Sequence, residues 1–461
     1  MKRRNFLKNM AGGAAAVGLG GVASSFVGTG SDDVAAGASG PSGFTASSYR
    51  RIIGANDTIR MAVIGSNGRG AGMAAVFARQ PQTEILYVCD VEEKARQKGI
   101  NSVVMAGKPA PRGENDFRKM LTVKDVDAVY IATPDHWHSP ATILACAAGK
   151  HAYCEKPLSH NPREGELAIA AAAKYKRVVQ LGTQRRSWKL LTEGIGQLHA
   201  GAIGKIYMVK TWYTNSRKSI GVGKQTAVMP GLDYDLWQGP APRKPYQDNL
   251  IHYNWHWFWH WGTGEALNNG THEIDVARWG LGIDYPLSVN STGGRYFFKD
   301  DWQTPDTQLI TFQCPEATVS WEGRSCSSFK VQGIDRGVLF YGTNGIMLTG
   351  HDGYTIFDEK GNIVKEIKSN AVIDGRNSSS PNEGLDAIHV DNFLNAVRKG
   401  TPLNAPVTTG FRSTLWVQLG NIAQRVGHTL HIDQQNGHIL HDEEAMKLWG
   451  REYEKGWEPK V

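Results

Sequence analysis

One stretch, residues 58–79, restricts the architecture more than any other part of the chain. Residues 58–64 alternate and then run apolar, the pattern of a strand that enters a covered sheet. They lead into Gly65-Ser66-Asn67-Gly68-Arg69-Gly70, after which residues 71–79 carry helical periodicity. Strand, glycine turn and helix in that order meet the needs of a dinucleotide fingerprint. These are a tight turn, a backbone that can approach a pyrophosphate, and a helix N-terminus aimed at negative charge. The turn departs from G-x-G-x-x-G at one place, where Asn67 stands at the second glycine and Gly68 follows it. Asn is among the residues most tolerant of positive φ, so the turn is expected to form. Gly65, Asn67, Gly68 and Arg69 are therefore candidate cofactor contacts.

The next strand, residues 84–89, ends on Asp90, 25 residues after Gly65. A carboxylate there suits a ribose diol and repels a 2′-phosphate, which favours NAD over NADP. Residues 127–132 form a further apolar strand, ending at Thr133-Pro134-Asp135-His136-Trp137-His138 before a helix through Ala148. Thr133, Pro134, Trp137 and His138 thus stand at a strand's carboxyl end as cofactor candidates. Then follows Gly149-Lys150-His151-Ala152-Tyr153-Cys154-Glu155-Lys156-Pro157, a short buried strand that delivers Glu155 and Lys156 where open α/β sheets bind ligands. An X-Pro bond has a trans preference of only about 0.5–1 kcal/mol, so a cis Lys156-Pro157 is accessible and would aim the lysine into a site. A last strand at 178–184 brings Gln184 and, after it, Arg186. The alternation predicts a doubly wound sheet.

Beyond it the pattern changes. Residues 186–200 read as a helix and 203–214 as a long strand, and loops dominate to about 254. Strands are predicted at 287–298, 307–313, 318–323, 337–341, 345–349, 354–358 and 363–367, mostly antiparallel by turn length, with Asn344-Gly345 as turn chemistry. Helices at 386–398 and 413–426 are expected to return and pack on the first domain. Between loops and strands lies Trp255-His256-Trp257-Phe258-Trp259-His260-Trp261, followed by a glycine-rich run to Asn268, His272 and Asp275. Those three fall at i, i+4 and i+7, one face of a helix, and are expected to converge on one pocket. Trp259 offers an indole face for a sugar. His252, His256 and His260 recur every four residues, but no Asp, Glu or Cys joins them, so no metal is expected.

On these residues, from the Gly65 turn through Gly149–Pro157 to His272, the chain resembles the Gfo/Idh/MocA superfamily, the glucose-fructose oxidoreductase and inositol dehydrogenase relatives, over roughly residues 58–430. The resemblance implies an α/β fold: an N-terminal Rossmann doubly wound sheet, then a C-terminal α/β domain with a large, mostly antiparallel open-faced sheet. It also implies sugar, cyclitol or glycoside substrates oxidised at a secondary alcohol, and a homodimer or homotetramer; tight binding of the NAD is expected separately, because an exported enzyme meets no soluble NAD pool. The segment before His272 resembles Asp-x-Gly-x-His, which makes His272 the acid/base. Asn268 occupies the Asp position, a departure that removes one charge able to raise the histidine's pKa. A histidine suits the hydroxyl proton, and Lys156 the developing alkoxide. Arg186, Asn268, Asp275 and Trp259 are the expected substrate contacts, and Gln184 and Glu155 join Lys156 among those to the cofactor.

Composition bounds the rest. At 461 residues and 41% hydrophobic content the chain can bury two cores. The net charge of +7 falls to +5 outside the first 38 residues and is scattered, which excludes nucleic acid as an expected partner. Those first residues, Lys2-Arg3-Arg4-Asn5-Phe6-Leu7-Lys8 and then an uncharged Ala/Gly stretch to Ser31, resemble a twin-arginine export signal with a small-residue cleavage candidate at Ala36-Gly37-Ala38. The expected organisation is a signal at 1–38, a linker at 39–57, the NAD-binding domain at 58–185, a substrate and oligomerisation domain at 186–430, and a tail at 431–461. The expected partners are the twin-arginine translocase and a small sugar or glycoside, and the expected location is periplasmic. Five cysteines read as buried apolar residues, not a disulfide framework. Three functions compete: a sugar dehydrogenase, a glycosidase that oxidises its substrate transiently before elimination, and a non-catalytic sugar-binding module.

Overall fold

The computed structural model describes residues 58–369 and 383–461; the signal and linker regions, 1–57, lie outside the described residues. The first part runs β1 (Ile59–Ile64), α1 (Arg69–Arg79), β2 (Thr83–Cys89), α2 (Glu93–Met105), β3 (Arg112–Glu114), α3 (Phe117–Leu121), β4 (Ala128–Ile131), α4 (Asp135–Ala147), β5 (His151–Cys154), α5 (Pro162–Lys174) and β6 (Val179–Leu181). Six strands form one parallel sheet in the order β3-β2-β1-β4-β5-β6. Alternation in β1 serves two faces. Ile59, Met61 and Val63 join a core with Phe77 and Tyr130, whereas Ala62 and Ile64 join the opposite core with Val129 and Ala141. Strand order reverses between β1 and β4, so the turns after these two strands part and leave a crevice at the strands' carboxyl ends.

The second part runs α6 (Lys189–His199), β7 (Ile206–Ser216), α7 (Tyr234–Gln238), α8 (Thr271–Leu281), β8 (Ser288–Gly294), β9 (Thr307–Gln313), β10 (Thr318–Arg324), β11 (Cys326–Ser327), β12 (Arg336–Gly342), β13 (Gly345–Thr349), β14 (Gly353–Phe357), β15 (Ile363–Lys368), α9 (Glu383–Lys399), α10 (Val407–Val426), β16 (Leu430–His431) and α11 (Glu443–Met446). Its sheet has the order β15-β14-β13-β12-β7-β10-β9-β8-β16, with β11 beside β7. Neighbours are antiparallel except β7 and β10. β8 stops at Gly294, short of the predicted 298, because the Asp306 carboxylate accepts the main-chain N–H groups of Tyr296, Phe297 and Phe298 and folds them away from the ladder.

The two parts share their cores. Val390, Phe393 and Leu394 of α9 pack with Phe77 and Tyr153 of the first sheet's layers. α10 lies across the domain junction, where Thr414 Oγ1 accepts from Leu158 N and Gln418 Nε2 donates to Ser159 O. Residues after 431 are fastened to the Rossmann helices: Arg451 pairs with the buried Glu164 at 2.7 Å, and Trp457 meets Trp137 edge to face. No described helix is long and apolar enough to cross a membrane.

Candidate active site

A cavity of about 860 Å³ opens at the carboxyl ends of β1, β2, β4 and β5 and reaches the end of β7 and the start of α8. The glycine turn forms one wall. Gly65 takes φ +83°, and a Cβ there would stand 2.6 Å from Ala132 O; a Cβ at Gly70 would stand 1.9 Å from Gly65 O. Both positions therefore require glycine, one for conformation and closeness and one for helix–strand approach. Left-handed backbone is needed at Gly65 and not at Asn67, so the substituted second glycine costs the turn nothing. Gly68 faces open space, and α1 starts there with no side-chain cap on its first amides. An open cradle beside uncapped helix amides fits a pyrophosphate.

Asp90 lines the same cavity just beyond β2. Its Oδ2 accepts from Ser66 N at 2.7 Å and from Ser66 Oγ, and its Oδ1 accepts from Glu92 N at 3.0 Å. Burial raises its pKa, and these hydrogen bonds oppose the rise. Arg69 lines the cavity as expected, but its guanidinium is committed: Nε donates to Glu155 at 2.9 Å, and the two Nη atoms grip Asp386 of α9 at 2.7 and 2.9 Å. Glu155 also accepts from Tyr130 OH. Burial pushes its carboxyl up, and Arg69, Lys156 and these hydrogen bonds more than offset that, holding it below the usual range. The sequence pattern around Glu155 thus serves a buried clamp that joins glycine turn, β5 and α9.

At the far end the Lys156-Pro157 bond is cis. The Lys156 ammonium donates to Asn268 O at 2.5 Å and to Asn268 Oδ1 at 3.2 Å. Burial lowers its pKa against the pull of Glu155 and Asp135. His272 is buried on the first turn of α8, with no hydrogen-bond partner for Nδ1 among the described residues. Burial, then the charges of Arg336 and Lys156, holds it well below the ordinary histidine value, so it is neutral at pH 7. Behind it Glu273 stands 3.0 Å from Arg336 and 3.7 Å from Arg185. Asn268 Nδ2 donates to Tyr253 OH at 3.1 Å and to Glu265 at 3.3 Å, and Glu265 is held by Arg217 at 2.7 Å.

Gly65, Asn67, Gly68, Arg69, Asp90, Thr133, Pro134, Trp137, His138, Glu155, Lys156, Gln184, Asn268 and His272 all line this one cavity. Within it, Trp137 Nε1 donates to Trp237 O, and both ring nitrogens of His138 meet carbonyls, those of Pro157 and Thr133. Three expected substrate contacts lie elsewhere. A π-turn at Ala266–Gly270 precedes α8, so the i, i+4, i+7 face is not continuous; Asp275, one turn on, meets Arg186 at 2.8 Å and Ser413 at 2.6 Å in a buried cluster outside the cavity. Trp259 also points away, its ring under Arg425. Nor do the three histidines converge, since residues 252–260 are not a continuous helix: His252 meets Glu92, His256 the carbonyl of Tyr253 and His260 that of Pro242. Cavity residues that the sequence did not reveal include Arg217, Tyr253, Asn269 and Arg336. Tyr253 and Asn269 flank runs already singled out; Arg217 and Arg336 carry no local signal.

A parallel six-stranded Rossmann sheet joined to an open, mostly antiparallel sheet, with a lysine and a histidine lining one cavity beyond the glycine turn, defines a two-domain dinucleotide-binding oxidoreductase. The family models agree: residues 59–183 match the oxidoreductase family with NAD-binding Rossmann fold, and residues 207–294 and 344–459 its C-terminal alpha/beta domain. The chain belongs to the Gfo/Idh/MocA oxidoreductase family, and its first domain is an NAD(H)-binding fold. It is similar to a glycosyl hydrolase family 109 protein of Saccharopolyspora erythraea, 31% identical over 214 residues, 42% of this chain and 45% of the relative. The match thus spans less than half of that relative. Among solved structures, the WlbA dehydrogenase of Bordetella pertussis in complex with NADH and UDP-GlcNAcA matches with a TM-score of 0.60 at 18% identity, over 82% of this chain and 99% of that one. Aldose-aldose oxidoreductase from Caulobacter crescentus, complexed with glycerol, also matches at 0.60, with 17% identity over 81% of this chain and all of that one. At such identities the likeness is one of fold.

Proposed function

We propose that the protein is an exported, NAD-dependent oxidoreductase that oxidises a secondary alcohol of a sugar or glycoside and keeps its cofactor between turnovers. The observation that carries this reading is that the Lys156 ammonium and a neutral His272 line one cavity with the glycine turn and Asp90. Bound NAD supplies the two-electron acceptor for the carbinol C–H bond. His272 takes the hydroxyl proton: Nδ1 is sealed in protein, which leaves Nε2 for the task. Lys156 holds the hydroxyl and stabilises the oxyanion as its proton leaves. Asn268, whose Nδ2 hydrogens are spent on Tyr253 and Glu265, orients a sugar hydroxyl by accepting at Oδ1 beside Lys156. Asp90 favours NAD over NADP by its charge. The export reading rests on the Lys2–Lys8 segment, and tight retention follows from it, because no soluble NAD pool exists outside the cytoplasm. Open sheets such as β7–β15 present a broad surface, and a homodimer or homotetramer is part of the proposal.

The resemblance to a glycosyl hydrolase family 109 protein favours one second reading, in which the same oxidation is transient and acidifies the neighbouring C–H, the glycosidic bond leaves by elimination, and water addition and re-reduction complete a redox-neutral hydrolysis. The two separate in one experiment. NAD-loaded protein is mixed with a panel of glycosides and free sugars in deuterated solvent, with reduced nicotinamide and products followed together. A dehydrogenase accumulates reduced cofactor in one stoichiometric burst, stops, and resumes on addition of a keto-sugar acceptor. Sustained sugar release with C2 deuteration and no net reduction overturns it in favour of the glycosidase, and no response to any of these compounds leaves only the binding module.

A further inference from the structure

We propose that Tyr253 is a substrate-contacting residue, whose phenol donates a hydrogen bond to the sugar oxygen adjacent to the one being oxidised. The proposal rests on the oxidoreductase reading above and adds to it the feature by which substrates are told apart. Tyr253 lies in the loop between α7 and α8, nearly half exposed, with its ring on the cavity. Its oxygen accepts from Asn268 Nδ2 at 3.1 Å, while Asn268 Oδ1 accepts from Lys156 Nζ at 3.2 Å. One amide therefore carries the ammonium on its oxygen side and the phenol on its nitrogen side, so the two groups stand on either side of one residue of the cavity wall. The phenol oxygen is used as an acceptor, and its own proton meets no acceptor among the described residues.

The backbone supports the same assignment independently. Tyr253 has φ +69°, a conformation that costs a non-glycine residue on the order of 1–3 kcal/mol and persists where surrounding contacts enforce it, often at functional sites. His256 enforces it here: its backbone N–H and its Nδ1 both donate to Tyr253 O, at 3.2 and 2.6 Å, and the two rings pack at a tilt with centroids 4.4 Å apart. The next residue back, His252, is pinned to Glu92 beside the Asp90 turn at 3.2 Å. Arg217 lies over the ring, 5.2 Å from its centroid. Burial of the hydroxyl, opposed by Arg217, keeps its pKa above the ordinary tyrosine value. The phenol is thus a donor at neutral pH. A hydroxyl placed to bond a substrate hydroxyl discriminates strongly, because its removal from either partner leaves the other unpaired.

The test compares NAD-loaded wild type with Tyr253→Phe, which keeps the ring over Arg217, on methyl gluco-, galacto- and mannopyranosides and their monodeoxy analogues. NAD occupancy and thermal midpoint are measured first and are expected to match wild type. With the best intact glycoside, kcat/KM for cofactor reduction is expected to fall about ten- to a hundredfold. With one monodeoxy analogue, the one lacking the oxygen next to the oxidised carbon, the two proteins should be equal. An equal loss on every analogue assigns Tyr253 a structural role and overturns the proposal, as does no loss at all. If no glycoside reduces the cofactor in wild type, the oxidoreductase reading fails, and tryptophan fluorescence titration with the same glycosides then decides Tyr253 separately. Weaker binding by the variant for all but one deoxy analogue supports the contact, and indistinguishable binding refutes it.

Discussion

Replacing Lys156 by Met isolates the charge, because the thioether side chain keeps length and apolar volume and removes only the ammonium. Two consequences follow. The developing oxyanion loses a preorganised donor inside a cavity partly withdrawn from water, where such a contact is worth about 3 kcal/mol, or about a hundredfold in rate. Asn268 O and Oδ1 lose their shared donor at 2.5 and 3.2 Å, and the amide is then held only through Nδ2, by Tyr253 and Glu265. Stability moves little by comparison: an unpaired carbonyl costs about 1–3 kcal/mol, while removal of a cation whose burial already lowers its pKa relieves desolvation. The glycine turn and Asp90 are untouched, so NAD occupancy should persist. Rapid mixing of the NAD-loaded variant with an accepted glycoside, followed by reduced nicotinamide absorbance, should show a burst slowed about a hundredfold, with the cofactor recovered by acid release at wild-type stoichiometry. A near-normal burst at full occupancy would refute the role given to Lys156.

Other outcomes are expected. His272→Ala should slow the same burst by about 10²–10⁴-fold without loss of cofactor, and the wild-type burst should hold its rate well below pH 6.5, because burial and the nearby cations keep His272 neutral there; a rate that falls through pH 6.5 would oppose this. Gly70→Ala puts a Cβ 1.9 Å from Gly65 O, so NAD binding by calorimetry should weaken by about tenfold or more even if the variant folds, at an overpacking cost of about 1–3 kcal/mol. His389 is fully buried as the neutral form, with Nε2 donating to Leu181 O and Nδ1 accepting from Ser187 Oγ, and burial depresses its pKa to about 4. Its unfolded value near 6.5 is higher, so the unfolded state binds the proton first, and the stability is present above pH 6.5 and lost as pH falls towards 4. Between pH 7 and pH 5 this site alone should cost about 2 kcal/mol in chemical denaturation, a loss that His389→Gln should reduce.

Local pattern determined the first domain because each of its signals is short-range. Alternation in β1, the glycine turn, Asp90 at the end of β2 and Glu155-Lys156-Pro157 at the end of β5 each need only their neighbours in sequence to be read, and parallel βαβ winding carries the strand ends to one edge. The same holds for most strands of the second sheet and for the helices α9 and α10, whose apolar spacing announces a buried face. What tertiary structure alone decided was where polar side chains spend their hydrogen bonds. Arg69 is a candidate cofactor contact by its place in the glycine turn, but Asp386, more than 300 residues away, takes both of its Nη atoms. Asp275 shares a helix with His272, yet Arg186 and Ser413 hold its carboxylate in a buried cluster outside the cavity. Arg336 and Tyr213 meet because β12 and β7 pair in that register, and Tyr253 enters because a loop between helices is bent back over the cofactor's cavity. Such placements depend on strand register, loop path and competition among charges for partners, and no window of the sequence contains more than one side of each pair.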